Sequence, residues 1–112
     1  MSREADQRLE DIVEACERVA VYIRGFDQTA FEDDARTQDA VIRQFEIIGE
    51  AVKHLPDPLK VDEPAIPWRQ FAGFRDVLAH SYFAVDMSVV WQAAKDYAPQ
   101  LGETCQRLLR SD

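Results

Sequence analysis

Val41-Ile42-Arg43-Gln44-Phe45-Glu46-Ile47-Ile48-Gly49-Glu50-Ala51-Val52-Lys53-His54-Leu55 sets Val41, Phe45, Ile48, Val52 and Leu55 at alternating steps of four and three. That spacing keeps five large apolar side chains on one helix stripe and describes the seam of a helical bundle. The helix begins somewhere within Thr29 to Thr37. Upstream, Leu9, Ile12, Val13, Cys16, Val19, Ala20 and Ile23 repeat the pattern and predict a first helix, with Gly25 near its end. Downstream, Pro56, Pro58, Pro64 and Pro67 crowd one segment, which continues neither helix and reads as a loop.

Pro67 suits the first turn of a third, short helix running to about His80. Asp86 is a candidate N-cap for a last helix whose stripe is Val90, Ala94, Tyr97, Leu101, Cys105 and Leu108. Pro99 interrupts that stripe and predicts a kink or split near Ala98, because proline lacks a donor and crowds the preceding turn. No segment alternates as a strand would. The expectation is one all-α domain over residues 1–112, an up-and-down bundle of four to five helices.

Composition narrows the function. The 112 residues carry 13 Lys plus Arg against 21 Asp plus Glu, a net charge of −8, so no general basic surface exists to hold nucleic acid. The longest run without Asp, Glu, Lys or Arg is Val77 to Val85, far below the roughly 20 residues of a membrane span. The charged start, Met1-Ser2-Arg3-Glu4-Ala5-Asp6, does not read as a secretory signal, and a cytoplasmic protein is expected. Cys16 and Cys105 both fall on apolar stripes and read as buried thiols.

The third helix holds the candidate chemistry. At roughly 100° per residue, Arg69, Gly73, Asp76 and His80 share one polar face, and the glycine leaves room for something to approach. Asp76 and His80 stand four apart, close enough for the carboxylate to hold one imidazole nitrogen and free the other for proton transfer. The bland reading of that pair is a surface ion pair. Arg75 falls among Trp68, Phe71, Ala72 and Ala79 on another face, where it needs a ring to stack on or a carboxylate such as Glu46 or Glu50. Glu46, Glu50 and His54 recur by fours, but the Glu-x-x-His spacing of a bundle metal site is absent, so no metal site is expected.

Arg75-Asp76-Val77-Leu78-Ala79-His80-Ser81-Tyr82 is an Arg-x4-His-x-Tyr arrangement at the end of a helix. It resembles the HepT-like branch of the HEPN superfamily. Asp39 to Arg43, Glu46 to Ala51, Ile66 to Arg69, Gly73, Phe83 and Val85 to Trp91 extend the resemblance over nearly the whole chain. One departure is Asp76, where the family often has asparagine; the extra negative charge would repel phosphate.

The resemblance implies a homodimeric, metal-independent endoribonuclease, the toxin of a toxin-antitoxin pair, needing no cofactor. His80 would take the proton of a ribose 2′-hydroxyl, Arg75 would stabilise the phosphoryl charge, and Asp76 would orient the histidine. Tyr82 is implied to receive AMP from a minimal nucleotidyltransferase antitoxin. Arg43, Arg69 and Arg75, doubled across a dimer, would give an acidic chain a local positive cleft for RNA. The rival readings are a non-catalytic dimeric module that binds a nucleotidyltransferase, and a subunit that binds a nucleotide.

Overall fold

In the computed structural model, residues 2–81 and 84–110 are described. Their long helices are α1 (Arg3–Tyr22), α3 (Ala35–Lys53), α5 (Trp68–His80) and a rod made of α6 (Met87–Gln92), a π turn (Ala93–Tyr97) and α7 (Ala98–Arg110). The short helices α2 (Gln28–Glu32) and α4 (Asp57–Val61) lie in the connections. α3 packs between α1 and α5, and α7 returns against the other side of α1. This is the all-α bundle the periodicity predicts, since amphipathic stripes can leave water only by facing one another.

The seam residues Val41, Phe45, Ile48, Val52 and Leu55 are all buried, as are Leu9, Ile12, Cys16 and Val19 of α1. Ala20, on the predicted first stripe, is exposed. The backbone boundaries follow local chemistry. The side chains of Ser2, Asp27, Asp34 and Asp86 each accept a backbone N–H at a helix start. After α1, Gly25 takes φ 82°, a left-handed turn that glycine adopts without steric cost.

Two boundary expectations hold and two are corrected. The helix start expected between Thr29 and Thr37 falls at Ala35, where Asp34 caps the Thr37 amide, and the same stretch holds the separate short helix α2. The proline-rich segment is not wholly loop: Pro58 sits in the first turn of α4, where its missing donor is not needed. Pro67 is the N-cap of α5, one residue before its first turn. The split expected near Ala98 is present: the rod divides at a π turn, Ala93–Tyr97, where the Ala98 amide bonds the Ala93 carbonyl five residues back. The extra residue shifts the register, so Tyr97, assigned to the buried stripe, is 43% exposed while Leu101 and Cys105 stay buried.

Both cysteines are free and buried. Burial pushes both thiols up, Cys105 to about 12. No helix among the described residues is long and apolar enough to cross a membrane.

Candidate functional site

α5 is held at both sides before its chemistry begins. Trp68 is buried and its Nε1 donates to the Glu63 carbonyl at 3.0 Å, while the Glu63 carboxylate pairs with Arg107 of α7. Along the α3 side, Phe71 and Leu78 are buried, and Phe74 meets Phe45 edge-on at 5.4 Å between ring centroids. The remaining face, with Arg69, Gly73, Asp76 and His80, is exposed. The sequence therefore predicts the polar face correctly.

Gly49 sets how close the two helices come. A Cβ there would lie 2.9 Å from the Phe71 carbonyl oxygen and would overlap the Arg75 Cβ and Cγ. Glycine inside a helix costs roughly 1 kcal/mol relative to alanine, so its presence at mid-helix is the sequence signal for a close approach. The glycine brings Arg75 down onto α3. There its guanidinium lies 3.5 Å from Glu50 Oε2 and 3.5 Å from Asp76 Oδ1. Of the partners weighed for Arg75, a ring or an α3 carboxylate, the structure supplies Glu50.

His80 is exposed, and its Nδ1 lies 2.9 Å from the Asp76 main-chain oxygen. A carbonyl only accepts, so in this hydrogen bond Nδ1–H donates and Nε2 carries the lone pair. The expectation that the Asp76 carboxylate would hold the imidazole is thus corrected: the main chain does so. The carboxylate turns instead to Lys53 Nζ, at 2.5 Å, on the last turn of α3. That ammonium, by hydrogen bond and charge, and the Arg75 guanidinium hold the Asp76 carboxyl below its ordinary value. Lys53 was not singled out by the sequence, because it lies 23 residues from its partner and on no polar motif.

Arg43 and Arg69, the other candidate phosphate contacts, open onto different grooves. Arg43 shares one of about 240 Å³ with Arg8, Asp11, Glu46, Glu50 and Arg75, between α1, α3 and α5. Arg69 lines a larger one at the start of α5. His54 donates Nδ1–H to the Glu50 carbonyl at 2.9 Å and lies 3.5 Å from its carboxylate. Among the described residues, no three His, Cys, Asp or Glu side chains are placed to share a metal ion. Tyr82 lies outside the described residues.

An all-helical bundle with an Arg-x4-His helix end, its histidine exposed and oriented from the main chain, fits the HEPN class. The match to the family model "Ribonuclease HepT-like" spans residues 12–108. The chain is 44% identical over 111 residues to "Probable ribonuclease HepT" of Thermococcus cleftensis, covering 96% of this chain and 98% of that one. It is 34% identical over 104 residues to "Putative RNase TTE0752" of Caldanaerobacter subterraneus, covering 93% of each. A third match, 36% identical, covers 97% of this chain but 49% of the Methanocaldococcus jannaschii protein "Gamma-glutamylcyclotransferase and putative RNase MJ0434". No solved structure matches significantly. The chain belongs to the HepT-like ribonuclease family of the HEPN superfamily.

Proposed function

We propose that this protein is the toxin of a toxin-antitoxin pair, a metal-independent endoribonuclease that cuts RNA through attack of a ribose 2′-hydroxyl on the adjacent phosphorus. The observation that carries the reading is the His80 ring, exposed to solvent with Nδ1 donating to the Asp76 carbonyl. Nε2 is then the base that removes the 2′-hydroxyl proton. The oxygen attacks phosphorus, the P–O5′ bond breaks, and a 2′,3′-cyclic phosphate and a 5′-hydroxyl result. The leaving 5′-oxygen takes a proton from water, and because the nucleophile comes from the substrate, the protein supplies only a base and charge stabilisation. Arg75 gives the latter on the phosphoryl oxygens, and Asp76 positions His80 through its main chain.

Arg75 and His80 are about 140° apart on an ideal helix. Two copies of the chain related by a two-fold axis bring an arginine of one to the histidine of the other, so the working unit is a homodimer. Tyr82, two residues beyond His80, is the site at which a nucleotidyltransferase antitoxin adds AMP, silencing the cleft by charge and bulk. The compartment is the cytoplasm, where the RNA substrate and antitoxin are found.

A second reading, a non-catalytic dimeric helical module that binds a nucleotidyltransferase or a nucleotide, is favoured by one observation. The Arg75 guanidinium is flanked by Glu50 and Asp76, both at 3.5 Å, and a phosphate must displace them. Cleavage of a mixed RNA by purified, unmodified protein in chelator separates the two. Cleavage that persists in chelator and vanishes in His80→Ala supports the nuclease; intact RNA with folded, dimeric wild type supports the module.

A further inference from the structure

Between the end of α3, α4 and the start of α5 opens a groove of about 860 Å³. Lys53, Lys60 and Arg69 line it against a single carboxylate, Asp57. This inverts the balance of the chain, in which 21 acidic residues outnumber 13 basic ones. The two lysines are engaged, Lys53 by Asp76 at 2.5 Å and Lys60 by Asp57 at 3.5 Å and by the Val52 carbonyl, to which it donates at 3.3 Å. Arg69 is exposed, and no hydrogen bond or ion pair engages it among the described residues. The same groove has an apolar wall, with Ile66 buried and Val61 74% exposed.

Cations beside exposed apolar surface match the two chemistries of a single nucleic-acid strand, anionic phosphates and flat apolar base faces. The groove also lies at the other end of the helix face that carries the candidate site. Arg69, Gly73 and His80 share the exposed face of α5, and a Cβ at Gly73 would meet nothing within 4 Å. A strand lying on that face from His80 toward Arg69 passes Asp76, whose charge is met by Lys53 of the groove. Eleven residues at about 1.5 Å each put the two ends about 16 Å apart, several nucleotides of a strand.

We propose that this groove is a second RNA-contact site, in which Arg69 binds a phosphate several nucleotides from the scissile one while Val61 seats a base. The assignment rests on the nuclease reading of His80 and Arg75. It makes affinity depend on substrate length: RNA that reaches the groove gains contacts that a short fragment lacks.

The test uses full-length protein and fluorescent RNAs of about 4 and about 12 nucleotides, each also as a 2′-O-methyl form that binds without being cut. Arg69→Glu and Val61→Glu alter exposed side chains, and Arg36→Glu, at the opposite end of α3, controls for the change in net charge. The expected result is an approximately tenfold weaker Kd for the 12-mer in Arg69→Glu and several-fold in Val61→Glu, with the 4-mer unaffected. Both variants binding the 12-mer as Arg36→Glu does would overturn the assignment. So would loss of antitoxin binding with RNA affinity intact, which makes the groove a protein dock. Wild type that binds the 12-mer yet never cuts the unmodified RNA defeats the nuclease reading instead, while the binding comparison still judges the groove.

Discussion

Gly49 of α3 and Arg75 of α5 touch backbone to side chain, with no space for a Cβ at position 49. The contact lets α3 hold the arginine root while Glu50, the next residue, lies 3.5 Å from its guanidinium. Gly49→Ala gains the helix propensity of alanine but forces α5 outward. The expected outcome is a net loss of about 1–3 kcal/mol in denaturant melts and a larger fractional loss of RNA cleavage than of folded protein. A variant as stable and active as wild type would show that the helices slide past the clash without cost.

Lys53 and Asp76 make the second interhelix link. Lys53→Met leaves the Asp76 carboxylate beside the site without its ammonium, which raises the Asp76 carboxyl toward its ordinary value and repels RNA phosphate. Carbon-13 NMR titration of Asp76 should follow the first effect and the Kd for 2′-O-methyl RNA the second. Adding Asp76→Asn to Lys53→Met removes the uncompensated charge and should recover most of the affinity. If the pair is only a staple between helices, the double variant binds RNA no better than Lys53→Met.

Asp86 caps α6, accepting from both the amide and the hydroxyl of Ser88, and these bonds lower its carboxyl below the ordinary value. Asp76 is lowered as well. Carboxyls lowered in the folded state add stability above their unfolded value near 3.9, and that stability is lost as pH falls through the folded values. Melting temperature should therefore decline as pH drops below about 4, and less steeply in Asp86→Asn. At neutral pH, Asp86→Ala should lower the melting temperature through loss of the cap.

Cys16 and Cys105 are buried with their thiols pushed up, so neither offers thiolate at neutral pH. Thiol-specific reagents should label native protein slowly and at the rate of unfolding, and label denatured protein at once. Rapid labelling of the native state would show that the α1–α7 contact opens on its own.

Much of the molecule is legible along the chain. The four-three spacing of Val41, Phe45, Ile48, Val52 and Leu55 dictates a buried helix stripe, and Asp86 and the proline-rich connection set boundaries through local hydrogen bonding. The exposed face of Arg69, Gly73, Asp76 and His80 follows from the same arithmetic. These features depend on neighbours within one or two helical turns, and a period of 3.6 fixes such neighbours before any packing occurs.

The partners of the site side chains were decided only by packing. Lys53 reaches Asp76 across 23 residues, Arg75 selects Glu50 over Glu46, and the Asp76 carboxylate pairs with the Lys53 ammonium while the Asp76 main chain holds His80. The π turn before Pro99 likewise moves Tyr97 out of its stripe by accommodating one extra residue, a choice that a fixed period does not anticipate. Periodicity orders side chains around each axis, whereas the distance between axes, set here by the missing Cβ of Gly49, determines which of them meet.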